Sequence, residues 1–462
     1  MTAVLWLNLV GLSAEQIGEH TPHLAEWARQ GSMAPMGGIL PGVTCSAQAT
    51  LLTGTLPRDH GAVANGWLDR RSMEVGLWRQ SNHWVQGEKI YETARRRDPA
   101  FRCAKLFWWW NMGAAVDWSI TPRPYYPADG RKIPAVYSWP PAYGQDLEQA
   151  IGPFPFFDFW GPKAGLPSSR WIAEAARRTL IEKRPALTMA YLPHLDYDHQ
   201  RFGPRAPRSI AALTELDGLV GLLLQAARDQ NVEVLGVSEY AIEQVDRPIA
   251  INLALRQAGL LHARPTPTGD VLDPFGSRAF ALADHQIAHV YCQDEAALRS
   301  ARSVLEALPG IEHVLDRSAQ AGYGIDHANS GELVAIAEAG AWFTYYYWDD
   351  PDAEPDFART VDIHRKPGYD PCEMLLDPAI RFPKLKVAGK LLQKKLGQRY
   401  RMDVIPLRPE LIRGSHGRLP AKPEAGPVFL STLPFGPGNP APEGESIAMT
   451  SVKDRVLAAL AR

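Results

Sequence analysis

The stretch AVLWLNLVGL, residues 3–12, decides how the chain is read, because an apolar N-terminal run is either a leader segment or a buried strand. It has no basic region ahead of it and no A-x-A-like cleavage site behind it, and no apolar run in the sequence approaches the ~20 residues that span a bilayer. A core strand is the expectation. Outward from it, ALTMAYL (186–192), VEVLGVS (232–238) and GELVAIAE (331–338) repeat the pattern, with helical segments between them. HTPHLAEWARQG places Thr21 as N-cap, Pro22 at the first helical position and Gly31 as the stop. SSRWIAEAARRTLIEK (168–183) and SIAALTELDGLVGLLLQAARDQ (209–230) carry apolar residues three and four apart, as amphipathic helices do. Short apolar strands alternating with such helices predict the α/β class with a mostly parallel central sheet.

At 462 residues, 45% hydrophobic and 22% charged, the chain has material for one large α/β unit with insertions, or for two to three domains. A formal net charge of −2 provides no general attraction to nucleic acid, so none is expected as partner and any anionic ligand needs a local patch. The four cysteines, Cys45, Cys103, Cys292 and Cys372, lie far apart without a CxxC pair. That argues against a zinc knuckle or disulfide framework and fits a reduced cytoplasm.

Three regions break the alternation. Residues 75–165, with LFWWWNMGAAVDWSITPRPYYPADGRK, are rich in tryptophan, tyrosine and proline and suggest an irregular cap; Trp108, Trp109, Trp110, Trp118, Tyr125 and Tyr126 either cover a substrate or pack on the core. Residues 284–327 read as strand, helix and strand, a small α+β insertion. RFPKLKVAGKLLQKKLGQRYR (381–401) has eight basic residues and no acidic one, with Leu385, Leu392 and Leu396 at helical spacing; it is either a solvated helix face or a contact for an anionic surface. From 419 the chain is proline- and glycine-rich, so 419–462 is expected to be a loop hugging the body or a loose tail, ending in a short helix near 450–461. The core is then discontinuous: 1–74, 166–283 and 328–418.

In α/β sheets chemistry gathers at the carboxyl ends of strands and at helix N-termini. That filter selects Asn8, the T44-C45-S46 stretch, PHLDYDHQ (193–200) and SEY (238–240). A hydroxyl at a helix N-terminus sees positive backbone dipole, which favours an alkoxide and a bound phosphate; the alternative for Thr44 is an N-cap. VDIHRKPGYD (361–370) offers His364, Arg365 and Lys366 as donors to a phosphate, or is a charged surface loop.

The segment from Thr44 onward resembles the nucleophile region of the alkaline phosphatase superfamily, in its type I nucleotide pyrophosphatase/phosphodiesterase and phosphonoacetate-hydrolase-like branch. Thr44 stands ten before Gly54 of LLTG, and P57-R58-D59-H60-G61 and Asn65 follow in step. The resemblance implies a three-layer αβα core and a hydrolase in which Thr44 attacks phosphorus and Asn65 donates to a phosphoryl oxygen. It also implies two metal ions, usually zinc, held by aspartates, histidines and the threonine.

Against that pattern, PHLDYDHQRFGP supplies Asp196 but Gln200 at the histidine position; S238-E239-Y240 puts Glu239 for aspartate and Tyr240 for histidine. G414-S415-H416-G417 supplies His416, and the N-terminal aspartate is replaced by Asn8 or Val10. The carried-over ligand set is Asp196, Gln200, Glu239, His416 and Asn8, which implies one divalent ion, zinc, magnesium or manganese, in place of two. Two functions stay open: a metal-assisted hydrolase of a phosphate mono- or diester on a small molecule or lipid-linked headgroup, and a degenerate member that binds a phosphorylated ligand without turnover.

Overall fold

All six residues of β1 (Val4–Leu9) are buried, Asn8 included, because the strand has a parallel neighbour on each side and helices over both faces of the sheet. The computed structural model describes residues 2–128, 131–436, 439–442, 444 and 446–462, so 129 and 130 of the aromatic region and 437, 438, 443 and 445 of the C-terminal run lie outside it. After β1 come β2 (Ser32–Gly37), β3 (Cys103–Leu106), β4 (Trp118–Pro122), β5 (Val136–Trp139), β6 (Leu187–Leu192) and β7 (Glu233–Val237). A second, four-stranded sheet holds β8 (Ala279–Asp284), β9 (Ile287–Cys292), β10 (Ile311–Leu315) and β11 (Leu333–Ala337). The chain then returns to the first sheet with β12 (Val428–Ser431) and β13 (Ile447–Ala448). The nine-stranded central sheet has the order β13-β2-β12-β7-β1-β6-β3-β4-β5. From β7 to β4 the neighbours run parallel, and β5 and β12 are antiparallel to theirs.

Helices cover both faces. On one, α1 (Pro22–Gln30) packs on the longest of three later helices of the same layer; α2 (Thr44–Thr53) lies on the other. The remaining members of the first layer are α3 (Leu166–Glu182), α4 (His194–Phe202) and α5 (Pro207–Asp229). The second sheet carries α6 (Glu295–Glu306), α7 (Pro383–Lys395) lies on the surface, and α8 (Val452–Leu460) packs against α2 and β1. By length and hydropathy α5 alone among the described helices would suit a bilayer, but its apolar face is packed on α1, α3 and α4. Thr21 does occupy the N-cap position of α1, yet the free amides of His23 and Leu24 are taken by Asp217 of α5, at 3.1 and 2.8 Å.

Three expectations are corrected. The region 75–165 is no separate cap: β3, β4 and β5 extend the central sheet, and Trp108, Trp109 and Trp110 are buried in its core, Trp108 against Trp6 with centroids 4.6 Å apart. Tyr125 and Tyr126 are exposed. The 284–327 insertion is only part of a larger unit, because the strand expected at 331–338 pairs antiparallel with β9 and β10 and not with the central sheet. The C-terminal segment is no tail. β12 is inserted between β2 and β7, and α8 has six of its nine residues buried. The cysteines are all free thiols.

Candidate active site

Adjacent strands β7, β1 and β6 bring Glu239, Asn8 and Asp196 to one edge of the central sheet, Glu239 just past β7 and Asp196 in the first turn of α4. Asn8 Nδ2 donates to Glu239 Oε2 at 2.9 Å, so Asn8 and not Val10 faces the site. Thr44 is the first residue of α2, and the N-cap position belongs to Val43, in extended conformation; the hydroxyl is free of capping duty. It lies 3.3 Å from the Tyr240 hydroxyl, which donates to Asp196 Oδ1 at 3.1 Å. A phenol has one proton. Since Tyr240 gives its proton to Asp196, Thr44 is the donor in the first bond. The helix ends at Gly54, whose φ of +73° strains any side chain and where an added Cβ would meet the Thr450 carbonyl at 3.1 Å.

Cys45 is closed as a nucleophile: burial, with Asp284 and Glu239 nearby, pushes its thiol far up. Its amide donates to Asn65 Oδ1 at 3.0 Å. Asp284, at the end of β8, grips Asn65 from the other side, accepting from its backbone amide at 2.8 Å and its Nδ2 at 3.0 Å. The second hydrogen of that amide is left to meet a ligand oxygen. Asp284 was not foreseen; the one cue is that the apolar run AFALAD ends in a carboxylate. His60, of the P-R-D-H-G motif, is structural, joining Thr50 of α2 at 2.9 Å to the amide of Ala62 at 3.1 Å.

His416 donates from Nδ1 to the Gly42 carbonyl at 2.7 Å, which leaves Nε2 bare, and burial lowers its pKa to about 3, so the ring is neutral. Gly417 follows with φ +122°, where a side chain would press on the Gln286 amide at 3.2 Å. The imidazole belongs to a column of rings: Tyr240 stacks on His416 at 3.5 Å, His285 lies 3.6 Å beyond and Tyr369 3.8 Å beyond that. Tyr369 closes the column by donating to Gln200 Oε1 at 2.8 Å. His285 and Tyr369 were likewise missed. A cleft of about 90 Å³ opens beside Glu239, Tyr240 and His416; Arg418 on its wall is paired with Glu312 at 2.5 Å and Glu243 at 3.7 Å.

The residues expected to bind phosphate from 361–370 are not brought to this cluster. Lys366 is buried between Asp370 and Glu373, at 2.7 and 2.8 Å, so its charge is neutralised within its own segment. His364 is at the surface, with Nδ1 3.3 Å from the Leu77 carbonyl.

Two carboxyls without a protein cation respond as burial dictates. Asp196 is raised to about 6, opposed by hydrogen bonds from Gln200 and Tyr240; Glu239 is raised to about 8, opposed chiefly by Asn8. Two zinc ions do not fit. Among the described residues no three histidine, cysteine or carboxylate side chains gather as metal ligands, the Tyr240 hydroxyl stands between Thr44 and Asp196, and Gln200 is engaged by Tyr369. One hard cation does fit, because Glu239 Oε1 and Asn8 Oδ1 are buried oxygens with no hydrogen-bond partner. Magnesium or manganese takes one or two carboxylates and completes its shell with water and phosphate oxygens. Of the five expected ligands, Asn8, Glu239 and His416 keep a bare donor atom; the two oxygens suit a hard cation, for which the His416 nitrogen is the softer donor.

Residues 4–370 match the family model of type I phosphodiesterase / nucleotide pyrophosphatase. The chain belongs to this family. An uncharacterised pyrophosphatase/phosphodiesterase of Schizosaccharomyces pombe is 24% identical over 240 residues, 50% of this chain and 42% of the relative, so the chain matches less than half the length of that relative. Among solved structures, murine ectonucleotide pyrophosphatase/phosphodiesterase 5, an inactive variant in complex with AMP, superposes with TM-score 0.61 at 14% identity, over 100% of this chain and 95% of that one. Phosphonoacetate hydrolase from Sinorhizobium meliloti, in complex with phosphonoformate, gives 0.60 at 12%, over 99% and 96%. At these identities the likeness is one of fold, and it agrees with the mostly parallel αβα core of this family member.

Proposed function

We propose that the protein is a phosphodiesterase-type hydrolase of a phosphate mono- or diester, with Thr44 as nucleophile and Asp196 as the base that accepts its proton through Tyr240. The observation that carries this reading is the hydrogen-bonded chain Thr44–Tyr240–Asp196 at the N-terminus of α2. A base raised to about 6 is mostly ionised at neutral pH yet still basic enough to take a proton, the compromise that general-base catalysis favours. The family membership and the two phosphorus-ligand complexes among the fold neighbours support a phosphorylated small-molecule or headgroup substrate.

In the first stage the Thr44 oxygen bonds to phosphorus as its proton moves to Tyr240 and the phenolic proton of Tyr240 moves to Asp196. The ester oxygen leaves with the bonding pair and takes a proton from water. In the second, water attacks phosphorus and gives up its proton to solvent, the bond to Thr44 breaks, and the threonine regains its proton along the same path in reverse. Asn65, held by Cys45 and Asp284, donates its free amide hydrogen to a phosphoryl oxygen. Glu239 and Asn8 would hold a magnesium or manganese ion, which supplies positive charge opposite the phosphoryl oxygens.

The test is release of p-nitrophenol from mono- and bis-p-nitrophenyl phosphate with magnesium or manganese. Turnover by the wild type that falls by at least a thousandfold in Thr44→Ala supports the proposal. Binding of inorganic phosphate or AMP without turnover under any metal would favour the binder, for which the replacements at 200 and 240 speak.

A further inference from the structure

We propose that α7 and the basic segment that follows it dock the protein on an anionic phospholipid surface. The body of the protein fixes which way this helix faces. Lys386 and Lys390 are tied to Asp403 at 3.1 and 3.0 Å, and Val387 packs on the cluster around Val404, Ile405 and Ile412. At about 100° per residue, Leu385, Leu392 and Leu396 fall on the opposite face. They are 69%, 57% and 65% exposed, and Phe382 at the start of the helix is 58% exposed.

A helix that only needed solvation would carry polar residues there. Instead its outward stripe is apolar, Lys384 and Lys395 border it on one side, and Lys394, Arg399 and Arg401 gather at its C-terminal end. Lys384, Lys394, Lys395, Arg399 and Arg401 form no ion pair among the described residues, and 381–401 contains no acid. The chain as a whole is formally −2, so this is a local excess and not part of a basic surface. The helix has no buried residue, as suits an interfacial helix whose leucines enter the headgroup boundary while lysines meet lipid phosphates. A second copy is disfavoured as the occupant, because it would bring the same positive flanks together. The inference does not rest on the hydrolase reading.

The full chain is floated with vesicles of phosphatidylcholine alone or with 30% phosphatidylglycerol. Expected are binding to the anionic vesicles at least tenfold tighter than to the neutral ones, weakening in high salt, and a blue-shifted emission from Leu392→Trp on those vesicles. Each lysine reversal among K384E, K394E and K395E should cost about fivefold or more, and L385Q/L392Q/L396Q at least tenfold, with melting temperature unchanged because these side chains are exposed. No preference for anionic vesicles overturns the proposal. So does binding that survives the leucine replacements, which would mark a purely electrostatic patch, or capture only by an acidic protein. Activity on soluble esters stays unaltered in these variants, so loss of activity and loss of docking are read separately.

Discussion

Tyr240→Phe isolates the proposed proton path. The substitution keeps the ring, which stacks on His416 at 3.5 Å with an interplanar angle of 7°, so the wall of the cleft stays in place. It removes one oxygen, the only group among the described residues that joins Thr44 to Asp196. Loss of a donor to a buried carboxylate should cost about 1.5–3 kcal/mol of stability. The effect on rate should be larger, since a positioned general base is worth roughly 10²–10⁴, or about 3–5 kcal/mol of barrier. The assay is kcat/KM for bis-p-nitrophenyl phosphate from pH 4 to 9. In the wild type Asp196 must be ionised to accept a proton, so the rate rises with pH through about 6. In Tyr240→Phe the plateau falls at least a hundredfold and this limb disappears, whereas KM changes little. If the variant retains the limb near 6, or loses less than threefold in rate, the path through Tyr240 is refuted.

The remaining expectations concern the supports of the site. Asp284→Ala frees Asn65 from two hydrogen bonds, and kcat should fall tenfold to a hundredfold with little change in the circular dichroism spectrum. Asp196 and Asp284 are both raised to about 6 by burial. The folded state thus holds their protons more tightly than the unfolded chain, and the stability this provides is complete below about pH 4 and lost as pH rises through about 6. At roughly two units each the loss is of order 3 kcal/mol per group, seen as a falling denaturation midpoint that Asp196→Asn flattens. Manganese should bind at a single weak site by calorimetry, and Glu239→Gln should abolish the heat; tight uptake of two ions by the wild type would contradict the assigned ligands.

How much could be read in advance follows from the range of the signals. The strands at 4–10, 186–192 and 232–238 are predominantly apolar because both faces are covered, and that local pattern is enough to name them. By contrast β3 has four residues with Lys105 in the middle, which reads as polar until one sees that the Lys105 ammonium donates to the Trp110 carbonyl at 2.7 Å within the core. The tryptophan run left substrate cover and core packing both open because three large rings in a loop have no periodicity to declare burial. β12 hid behind its prolines, which mark the turns on either side of VFLS. In the site, Thr44, Asn65, Asp196, Glu239 and His416 were legible through the short motifs that this sequence shares with the family it resembles. Asp284 reaches Asn65 across 219 positions and no local pattern announces it. Lys366 could have been read better: Asp370 and Glu373 lie four and seven residues on, close enough to neutralise it.

The replaced ligands make sense as a set. Where the resemblance leads one to expect groups that share a cation, this chain offers pairs that share a proton: Asn8 with Glu239, Tyr240 with Asp196, Tyr369 with Gln200. Each acceptor left by a missing ion has been given a donor, apart from His416 Nε2 and the Glu239 and Asn8 oxygens, the last two assigned to one hard cation. Restoring imidazoles alone should therefore not restore the double site. In Gln200→His/Tyr240→His the Tyr369 hydroxyl loses its acceptor and Asp196 its donor, at about 1–3 kcal/mol each. Asn8 still lacks the charge a second ion needs. The double variant should melt lower than wild type and take up less than one equivalent of zinc by metal analysis. Stoichiometric zinc together with an unchanged melting temperature would show that the hydrogen bonds are incidental and that the site lacks nothing but its two histidines.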